Sequence, residues 1–525
     1  MNRLLTLGAS ATALLLAGCD LAPHYDRPGS MVPATLPEGG VYPAQPATTT
    51  VPDIAWQDFF VDPALRQAIQ TGLTNNRDLR VAIANIEQAR AQYRVQRADL
   101  LPTVAANGSA TIQRSPFGIA GATTGVSPGT GTGGIPGGGT GTGTLPGGGI
   151  GGGVGGGTGI GGGAGVVGAS GDKTIEIYSV NAGLSAFELD LFGRVRNLTR
   201  AALEQYLATE EGARATRISL IAEIASAWLT MAADRDQLQI ARDTLESFRQ
   251  SLTLTQAQFR AGVASELEVR QAQTSFDQAR YDIAALTTRV AQDQNALNLL
   301  AGTTLPSEAL PVALGSRVVT LTDLPAGLSS QVLLRRPDVL QAEHQLVAQY
   351  ANIGAARAAF FPRISLTATA GTLSTELSNL FGNGTGTWSV APSASLPIFD
   401  FGRNAANLRY AKASREAALA TYERAVQVAF REVSDALAQR GTIDQQVEAR
   451  SSRVEAASVA YRLSDARYRA GVDTFLTTLD AQRTLYGAQQ NLVQTRLDAA
   501  SNLIQLYRSL GGGLNDETPV TAPRP

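Results

Sequence analysis

The residues that could perform nucleophilic or metal chemistry are few in this chain of 525 residues. It contains one cysteine, Cys19, and two histidines, His24 and His344. A single cysteine cannot form an intrachain disulfide, which leaves a free thiol, an intermolecular bridge or a site of modification. We expect both histidines to be ordinary surface or packing residues, because neither stands in a metal-ligand or nucleophile pattern. The sequence therefore predicts no enzyme activity, no cofactor and no metal site.

Cys19 ends the only strongly apolar run near the N-terminus. Arg3 supplies a positive charge, residues 4–17 are apolar, and "LAGC" places small residues directly before the cysteine. The run is too short to span a bilayer. It resembles the lipobox of bacterial lipoproteins, which implies that residues 1–18 are a signal peptide and that Cys19 carries a covalent lipid. The alternative is an ordinary secretory signal with an incidental cysteine.

An internal duplication sets the architecture. "LFGR" ending at Arg194 returns as "DFGR" ending at Arg403, and "FRAGV" returns as "YRAGV", both 209 residues later. Pro102 of "ADLLP" and Pro362 of "AAFFP" are instead 260 residues apart. The first copy must therefore contain an insertion. We place it in residues 118–171, which hold 28 of the 54 glycines and are expected to form a disordered loop.

Two long segments, 194–260 and 403–470, repeat apolar residues at a spacing of three and four, with few Gly or Pro. At 1.5 Å per residue, each predicts a helix about 100 Å long. Segments 63–100 and 265–300 predict helices of about 55 Å, which stacked end to end match one long helix. The predicted coiled-coil seam consists of Leu238, Ala241, Leu245, Phe248, Leu252 and Phe259 in the first copy, and Val454, Ala457, Tyr461 and Tyr468 in the second.

Four segments, 103–112, 178–186, 364–369 and 388–396, alternate between apolar and small polar residues. A soluble sandwich also alternates, but a symmetric placement of four segments in two copies favours tilted membrane strands. Four strands cannot close around a pore, and lipid does not tolerate an open sheet edge. Three chains would supply twelve strands, so the pattern predicts a homotrimer.

Several stretches are similar to one known family, namely "PHYDRP" after the lipobox, "WQDFFVDPALRQAI", "PAGLSSQVLLRRPDV", the two "RAGV" turns and "TLDAQRTLY". The chain resembles the outer-membrane factor family of tripartite exporters, the TolC-like ducts, and in particular its OprM/NodT lipoprotein branch. The resemblance implies a mainly α fold with membrane β. Four strands per chain would enter a 12-stranded trimeric outer-membrane barrel, continued by an α-helical coiled-coil barrel and a mixed equatorial domain.

The predicted organisation follows from the duplication and the resemblance together. It comprises the signal peptide (1–18), an N-terminal equatorial segment (19–62), the first repeat (63–301), an equatorial linker (302–337), the second repeat (338–510) and a C-terminal tail (511–525). The chain departs from the family pattern at its Gly-rich insert and at Asp20. An Asp after the lipidated cysteine tends to retain enteric lipoproteins at the inner membrane. The membrane strands outweigh it, so we predict an outer-membrane protein that extends through the periplasm.

The resemblance implies a passive duct whose partners are a periplasmic adaptor, an inner-membrane pump of the resistance-nodulation-division (RND) type, and outer-membrane lipid. Drugs, solvents, metals or other small toxic compounds would be its cargo. The alternatives are a duct for type I protein secretion and, further off, a periplasmic adaptor lipoprotein, which would show one helical hairpin instead of two. With 43 basic and 45 acidic residues and no basic block, the chain is not expected to bind nucleic acid.

The functional positions of such a duct are its closed tip and its adaptor-binding turns. Gly262 and Gly471 suit the C′ position that ends one helix before the next begins. By resemblance, the two turns contact the adaptor through Arg260, Gly262, Val263, Arg469, Gly471 and Val472. Also by resemblance, Asp480 lies at the periplasmic gate, where Arg483 or Tyr468 would balance its charge. The first copy carries Gln271 at the position of Asp480, so the two copies are expected to contribute unequally.

Overall fold

A computed structural model of the chain describes residues 20–29, 31–37, 39–42, 55–115, 173–314, 320 and 330–512. Cys19 with the predicted signal peptide, the Gly-rich segment 118–171 and the last residues of the predicted tail lie outside this range. Lipidation of Cys19 and the disordered loop therefore stay predictions.

The described chain consists of helices with four strands between them. The helices are α1 (Trp56–Phe59), α2 (Pro63–Asn75), α3 (Arg77–Ala98), α4 (Arg194–Arg260), α5 (Glu266–Ala301), α6 (Pro337–Ala358), α7 (Arg403–Arg469) and α8 (Phe475–Ser509); the strands are β1 (Val104–Ser115), β2 (Lys173–Leu189), β3 (Arg363–Ser374) and β4 (Gly386–Ser395). The predicted fold class is confirmed. None of the helices within the described ranges is both long enough and apolar enough to cross a membrane.

The duplication is visible in the element lengths. Helices α4 and α7 each contain 67 residues, and they begin 209 residues apart. Helices α3 and α6 each contain 22 residues, and they begin 260 residues apart. Both offsets read from the sequence are therefore confirmed by the boundaries of the folded elements.

The predicted continuous helix over 63–100 is wrong, because the chain breaks at Asn76. Asn76 has an extended ψ of 136°, and its side chain accepts a hydrogen bond from the Leu79 amide as the N-cap of α3. Its side-chain amide also donates to the Leu300 carbonyl at 2.9 Å. The break coincides with the end of α5, which packs against it. Gly302 ends α5 with φ +69°, and it lies so close to Asn75 that a Cβ at Gly302 would be 2.3 Å from the Asn75 carbonyl oxygen.

The start of α6 has no side-chain cap. Pro337 occupies the first turn, as expected for a residue whose missing N–H would be unsatisfied there. Asp338 does not cap the helix, because the N-cap residue is Arg336 and both carboxylate oxygens of Asp338 accept hydrogen bonds from the Arg336 guanidinium. The Asp338 carboxylate thus binds the buried Arg336 guanidinium instead of the backbone amides of the first turn.

The chain divides into two compact units, one formed by the helices and one by the strands. In the helical unit, α2, α4, α5 and α8 enclose an apolar core around Trp228, whose indole N–H donates to the Ala309 carbonyl at 3.0 Å. Within this core, Phe59 stacks on Tyr507 with ring centroids 4.2 Å apart. A second core joins α6 to α7.

Most of the predicted seam on α4 is buried: Leu238, Ala241, Phe248 and Leu252 lie in the core. Phe259 is the exception, since 45% of it is exposed. It lies one residue before the end of α4, although its neighbour Gln258 still accepts a hydrogen bond from Tyr468 of the second copy. Within one protomer, the last predicted position of the seam is therefore not buried.

The strand unit is a four-stranded sheet in the order β1-β2-β3-β4. Val104 pairs with Leu184 and Ser115 with Lys173 across the antiparallel β1–β2 junction. The β2–β3 junction shifts register between Leu184 and Phe187, at a bulge where Ala186 has φ +50°.

Hydroxyl pairs mark the polar face of this sheet. Ser109 bonds Ser179 at 2.8 Å, Ser365 bonds Ser393 at 2.7 Å, and Thr369 bonds Ser389 at 2.8 Å. Apolar residues such as Trp388 and Val390 alternate with them and are exposed. The predicted alternation of the strands is confirmed.

Candidate functional site: helix turns and the seam between hairpins

Two turns join the long helices to the helices that follow them, and both close in the same way. The Gly262 amide bonds to the Phe259 carbonyl and the Val263 amide to the Gln258 carbonyl, a Schellman motif at the end of α4. In the second copy, Gly471 and Val472 make the equivalent bonds to Tyr468 and Arg467 at the end of α7.

Each glycine has the left-handed conformation that this motif requires: φ is +77° at Gly262 and +73° at Gly471. The predicted C′ glycines are confirmed. Both turns are thereby held as rigid corners in which the residue after the glycine projects from the end of a hairpin.

The turns expose apolar side chains in pairs. Val263 is 76% and Val472 is 63% exposed. Four residues further on, Leu267 and Leu476 are 66% and 55% exposed. Neither leucine was predicted as a contact residue, although the two are 209 residues apart like the other matching positions of the repeat. Exposed apolar side chains at matching places in two copies are typical of a binding surface.

The charges around the two turns differ. The Arg467 guanidinium binds the Asp473 carboxylate through two hydrogen bonds of 2.6 and 2.8 Å across the second turn, which lowers the pKa of Asp473 and raises that of Arg467. The first turn instead has a capping box, in which Ser265 and Glu268 exchange hydrogen bonds. An ion pair in one copy and a capping box in the other therefore stabilise the same backbone corner.

The predicted arginines of the turns also have different surroundings. Arg469 pairs with Asp465 at 2.8 Å, one helical turn earlier. Arg260 is exposed and forms no ion pair within the part of the chain that the structure describes. Arg260 is thus the more available of the two for a contact outside the protomer.

A contact region next to these turns, called here the seam between the hairpins, joins the first hairpin, α4 and α5, to the second, α7 and α8. It is distinct from the coiled-coil seam predicted along each long helix. Its apolar part contains Phe248, Leu252, Ala272, Ala279, Phe475 and Leu479. Its polar part links the copies through Tyr461 and Gln482, which contact Ser247 at 2.9 and 2.6 Å, and through Tyr486, which donates to Asp282 at 2.8 Å. The apolar periodicity of a single helix does not predict which residues of the other hairpin it contacts.

The predicted gate residues do not form one cluster within the protomer. Arg483 donates to the Ser275 hydroxyl at 2.9 Å, and Tyr468 donates to the Gln258 side chain. Asp480 is exposed and pairs with neither of them. Within one protomer, both side chains instead contact the first hairpin, so the predicted balance of the Asp480 charge at the tip of the trimer stays a prediction.

Burial raises the pKa of Tyr468, so its hydroxyl stays a donor to Gln258 over the physiological range. The equivalent residue of the first copy is the exposed Phe259, which has no hydroxyl. The seam is thus asymmetric: polar side chains of the second copy reach to the first. Among the described residues, no group of acids, histidines or cysteines is arranged to hold a metal ion.

Comparison with known proteins agrees with this architecture. The sequence matches the family described as outer membrane efflux protein over residues 68–303 and 328–512, one segment in each copy. It is 43% identical over 514 residues to the toluene efflux pump outer membrane protein TtgC of Pseudomonas putida, covering 98% of this chain and 96% of TtgC. It is 41% identical over 504 residues to the solvent efflux pump outer membrane protein SrpC of the same species, covering 95% and 96% of the two chains.

The fold is similar to that of the Neisseria gonorrhoeae MtrE outer membrane channel in its open state. The TM-score is 0.77 at 35% identity, and the match covers 95% of this chain and all of the MtrE chain. The chain belongs to the outer membrane efflux protein family. It is an outer-membrane channel component of an efflux pump.

Proposed function

We propose that three copies of this chain form the passive exit duct of an RND-type tripartite pump. The protomer supplies two helical hairpins and four antiparallel strands, and the sheet ends in the two edge strands β1 and β4. Three such sheets joined at their edges give a closed 12-stranded barrel, which leaves no backbone edge exposed to lipid. The cargo is proposed to be small toxic organic compounds, since TtgC and SrpC are named for toluene and solvent efflux.

We further propose that the two helix turns bind a periplasmic adaptor, which connects the duct to the inner-membrane pump. The observation that carries this proposal is the repetition of one rigid corner with exposed Val and Leu side chains in both copies. An adaptor with hairpins of its own would bury these apolar side chains, and Arg260 would add a charged contact. Gly262 and Gly471 serve this surface by fixing the direction of Val263 and Val472.

The membrane attachment is proposed to include a covalent lipid on Cys19. The lipobox "LAGC" supports it, together with the lack of any other cysteine in the sequence. One acyl-bearing residue adds membrane affinity at a single point, whereas the strands insert the duct.

The experiment is to co-purify the duct with an affinity-tagged periplasmic adaptor, using Val263→Asp together with Val472→Asp. We expect the double variant to remain a trimer in the outer membrane, to lose adaptor binding and to lose resistance to toluene and antibiotics. Val312→Asp is the matched control, because Val312 has the same exposed fraction, 76%, outside the turns. Retained adaptor binding by the double variant would refute the docking site. Secretion of a protein substrate without any change in resistance would favour a type I secretion duct.

A further inference from the structure

The outer edges of β1 and β4 have no pairing strand in the described part of the chain, and the repeat indicates how they join. Within one chain, the β2–β3 junction connects the first copy to the second. In the proposed trimer, β4 of one chain meets β1 of the next, which connects a second copy to a first. We infer that this intermolecular junction has one defined register, without a bulge. The inference rests on the trimer proposed above.

The register can be transferred from the end of the sheet next to the long helices. Leu189 pairs with Ile364 at the internal junction. The 209-residue offset that relates α4 to α7 carries Leu189 to Ile398, and the 260-residue offset that relates α3 to α6 carries Ile364 to Val104. Ile398 of one chain is thereby placed opposite Val104 of the next.

Alternation of the side chains extends this pairing along the strands. Continuing from Ile398 without a bulge places apolar residues opposite apolar residues on one face. These pairs are Ala394 with Gly108 and Val390 with Ile112 within β4, and Leu396 with Ala106 one residue beyond its end. On the other face, the same register pairs Ser393 with Ser109 and Ser395 with Asn107.

A bulge like that at Ala186 would break this match. It would shift the distal part of β4 by one residue and place Val390 opposite Thr111, an apolar side chain against a polar one. Among the non-glycine residues of the strands in the described range, Ala186 alone has a positive φ. The barrel is therefore inferred to carry one bulge within each chain and none between chains.

The direction of the backbone N–H and C=O groups supports the same register. The Leu373 amide donates to the Thr385 carbonyl at 2.9 Å, so odd-numbered residues of β4 direct their backbone groups toward β3. Even-numbered residues, including Val390 and Ala394, direct theirs toward the open edge. Pro392 also faces this edge and removes one donor, a position in which sheets tolerate proline.

The polar face gains a continuous row of hydroxyls in this register. Ser365 bonds Ser393 within one chain, and Ser109 bonds Ser179 within the next. Pairing Ser393 with Ser109 joins these two pairs into a row of four across the interface. Since Ser393 and Ser109 would form a non-hydrogen-bonded backbone pair, their Cα atoms would lie about 4.5 Å apart, within reach of a disulfide.

Four cysteine substitutions test the register in the full-length chain. Ser393→Cys is combined with Ser109→Cys, and Ser395→Cys with Asn107→Cys. Exchanging the partners gives two matched controls, Ser393→Cys with Asn107→Cys and Ser395→Cys with Ser109→Cys, each displaced by two residues. The four single-cysteine variants show whether an introduced cysteine forms a disulfide with Cys19. After oxidation of outer membranes with copper phenanthroline, covalent trimers are measured on non-reducing gels.

We expect the two in-register pairs to give covalent trimers at least fivefold more efficiently than the exchanged pairs. Preferential cross-linking of one exchanged pair would show a two-residue slip and overturn the register. A failure of all four pairs, with native trimers still present, would overturn it as well. The absence of native trimers from the unsubstituted protein would instead refute the proposed trimeric duct, so the two failures are distinguishable.

Discussion

The Arg483 guanidinium donates a hydrogen bond of 2.9 Å to the Ser275 hydroxyl, and this contact joins the second helical hairpin to the first. A hydrogen bond from a charged group contributes about 1.5–3 kcal/mol when buried, and the exposure of Arg483 places this one toward the lower end. The bond therefore favours the arrangement in which the two hairpins stay together near the turns.

We therefore expect Arg483→Ala to increase single-channel conductance in planar bilayers and to raise sensitivity to large antibiotics. Ser275→Ala should act in the same direction but more weakly, and the double variant should add little to Arg483→Ala. Arg280→Ala is the control, because Arg280 contacts Asp277 and the ring of Phe276, which both belong to its own helix. Additive effects of the two substitutions would show that the bond does not restrain the tip.

The gate prediction for Asp480 depends on its difference from the first copy, which has Gln271 at the matching place. Asp480 is exposed and follows the buried Leu479 of the seam. If three Asp480 side chains meet near the axis, Asp480→Ala should reduce the cation selectivity of the channel and change its conductance. Gln271→Ala should leave both quantities nearly unchanged. Indistinguishable channels from the two variants would place the gate elsewhere.

A pair of carboxyls on α4 and α5 makes stability depend on pH. Burial, followed by the charge and hydrogen bond of Asp234, raises the pKa of Asp293 from 3.8 to about 6. Arg289 approaches Asp234 at 3.6 Å. A raised folded-state pKa means that the native state holds its proton more tightly than the unfolded chain does. The stabilisation is thus complete below about pH 4 and is lost as the pH rises through 6.

The variant that tests this is Asp293→Asn, which reproduces the second copy, where Asn502 occupies the equivalent position. We expect it to raise the Tm at pH 8 by a few degrees and to flatten the Tm profile between pH 4.5 and 8. Asp277→Asn, on the same helix, is the control and should follow the wild-type profile. An unchanged profile for Asp293→Asn would show that the two carboxyls do not share a proton.

Arg336 is a buried cation whose loss should destabilise the fold strongly. It binds Asp338, Glu432 at 2.8 Å and the Ser509 carbonyl at 2.8 Å. Burial acts to lower its pKa, but the hydrogen bonds that it donates to the two carboxylates, together with their charges, outweigh burial and raise it. Arg336→Ala should cost about 3 kcal/mol, the low end for a buried ion pair, because the two carboxylates are only partly buried while the Ser509 carbonyl loses its buried donor.

Thermal unfolding of the detergent-solubilised protein measures this cost. Arg336→Lys should destabilise the protein less than Arg336→Ala, but it should still lower the stability, because an ammonium cannot bind Asp338 through two nitrogens. Equal stability of the alanine variant and the wild type would contradict the structural role of this network.

Lipidation of Cys19 can be separated from formation of the duct. Under a cleavable secretory signal, Cys19→Ala should abolish palmitate labelling and leave trimers in the outer membrane, because the acyl chain acts at one point. Membrane fractionation and native gels measure both quantities. Complete loss of trimers would show that the anchor is required for assembly.

The sequence by itself determined the duplicated architecture, the four strands and the two glycine corners of this protein. These features are local: helix periodicity, strand alternation and a C′ glycine each depend on a few neighbouring residues. The helix limits Arg194–Arg260 and Arg403–Arg469 follow from them.

Only the tertiary structure decided which side chains meet. The rotation of α8 against α5 sends Arg483 to Ser275 instead of Asp480, and the end of the packed seam leaves Phe259 exposed. The packing of α5 likewise breaks the chain at Asn76, and the antiparallel sheet places a bulge at Ala186. Such outcomes depend on the relative positions of elements far apart in sequence, and the pattern within one element carries no record of them.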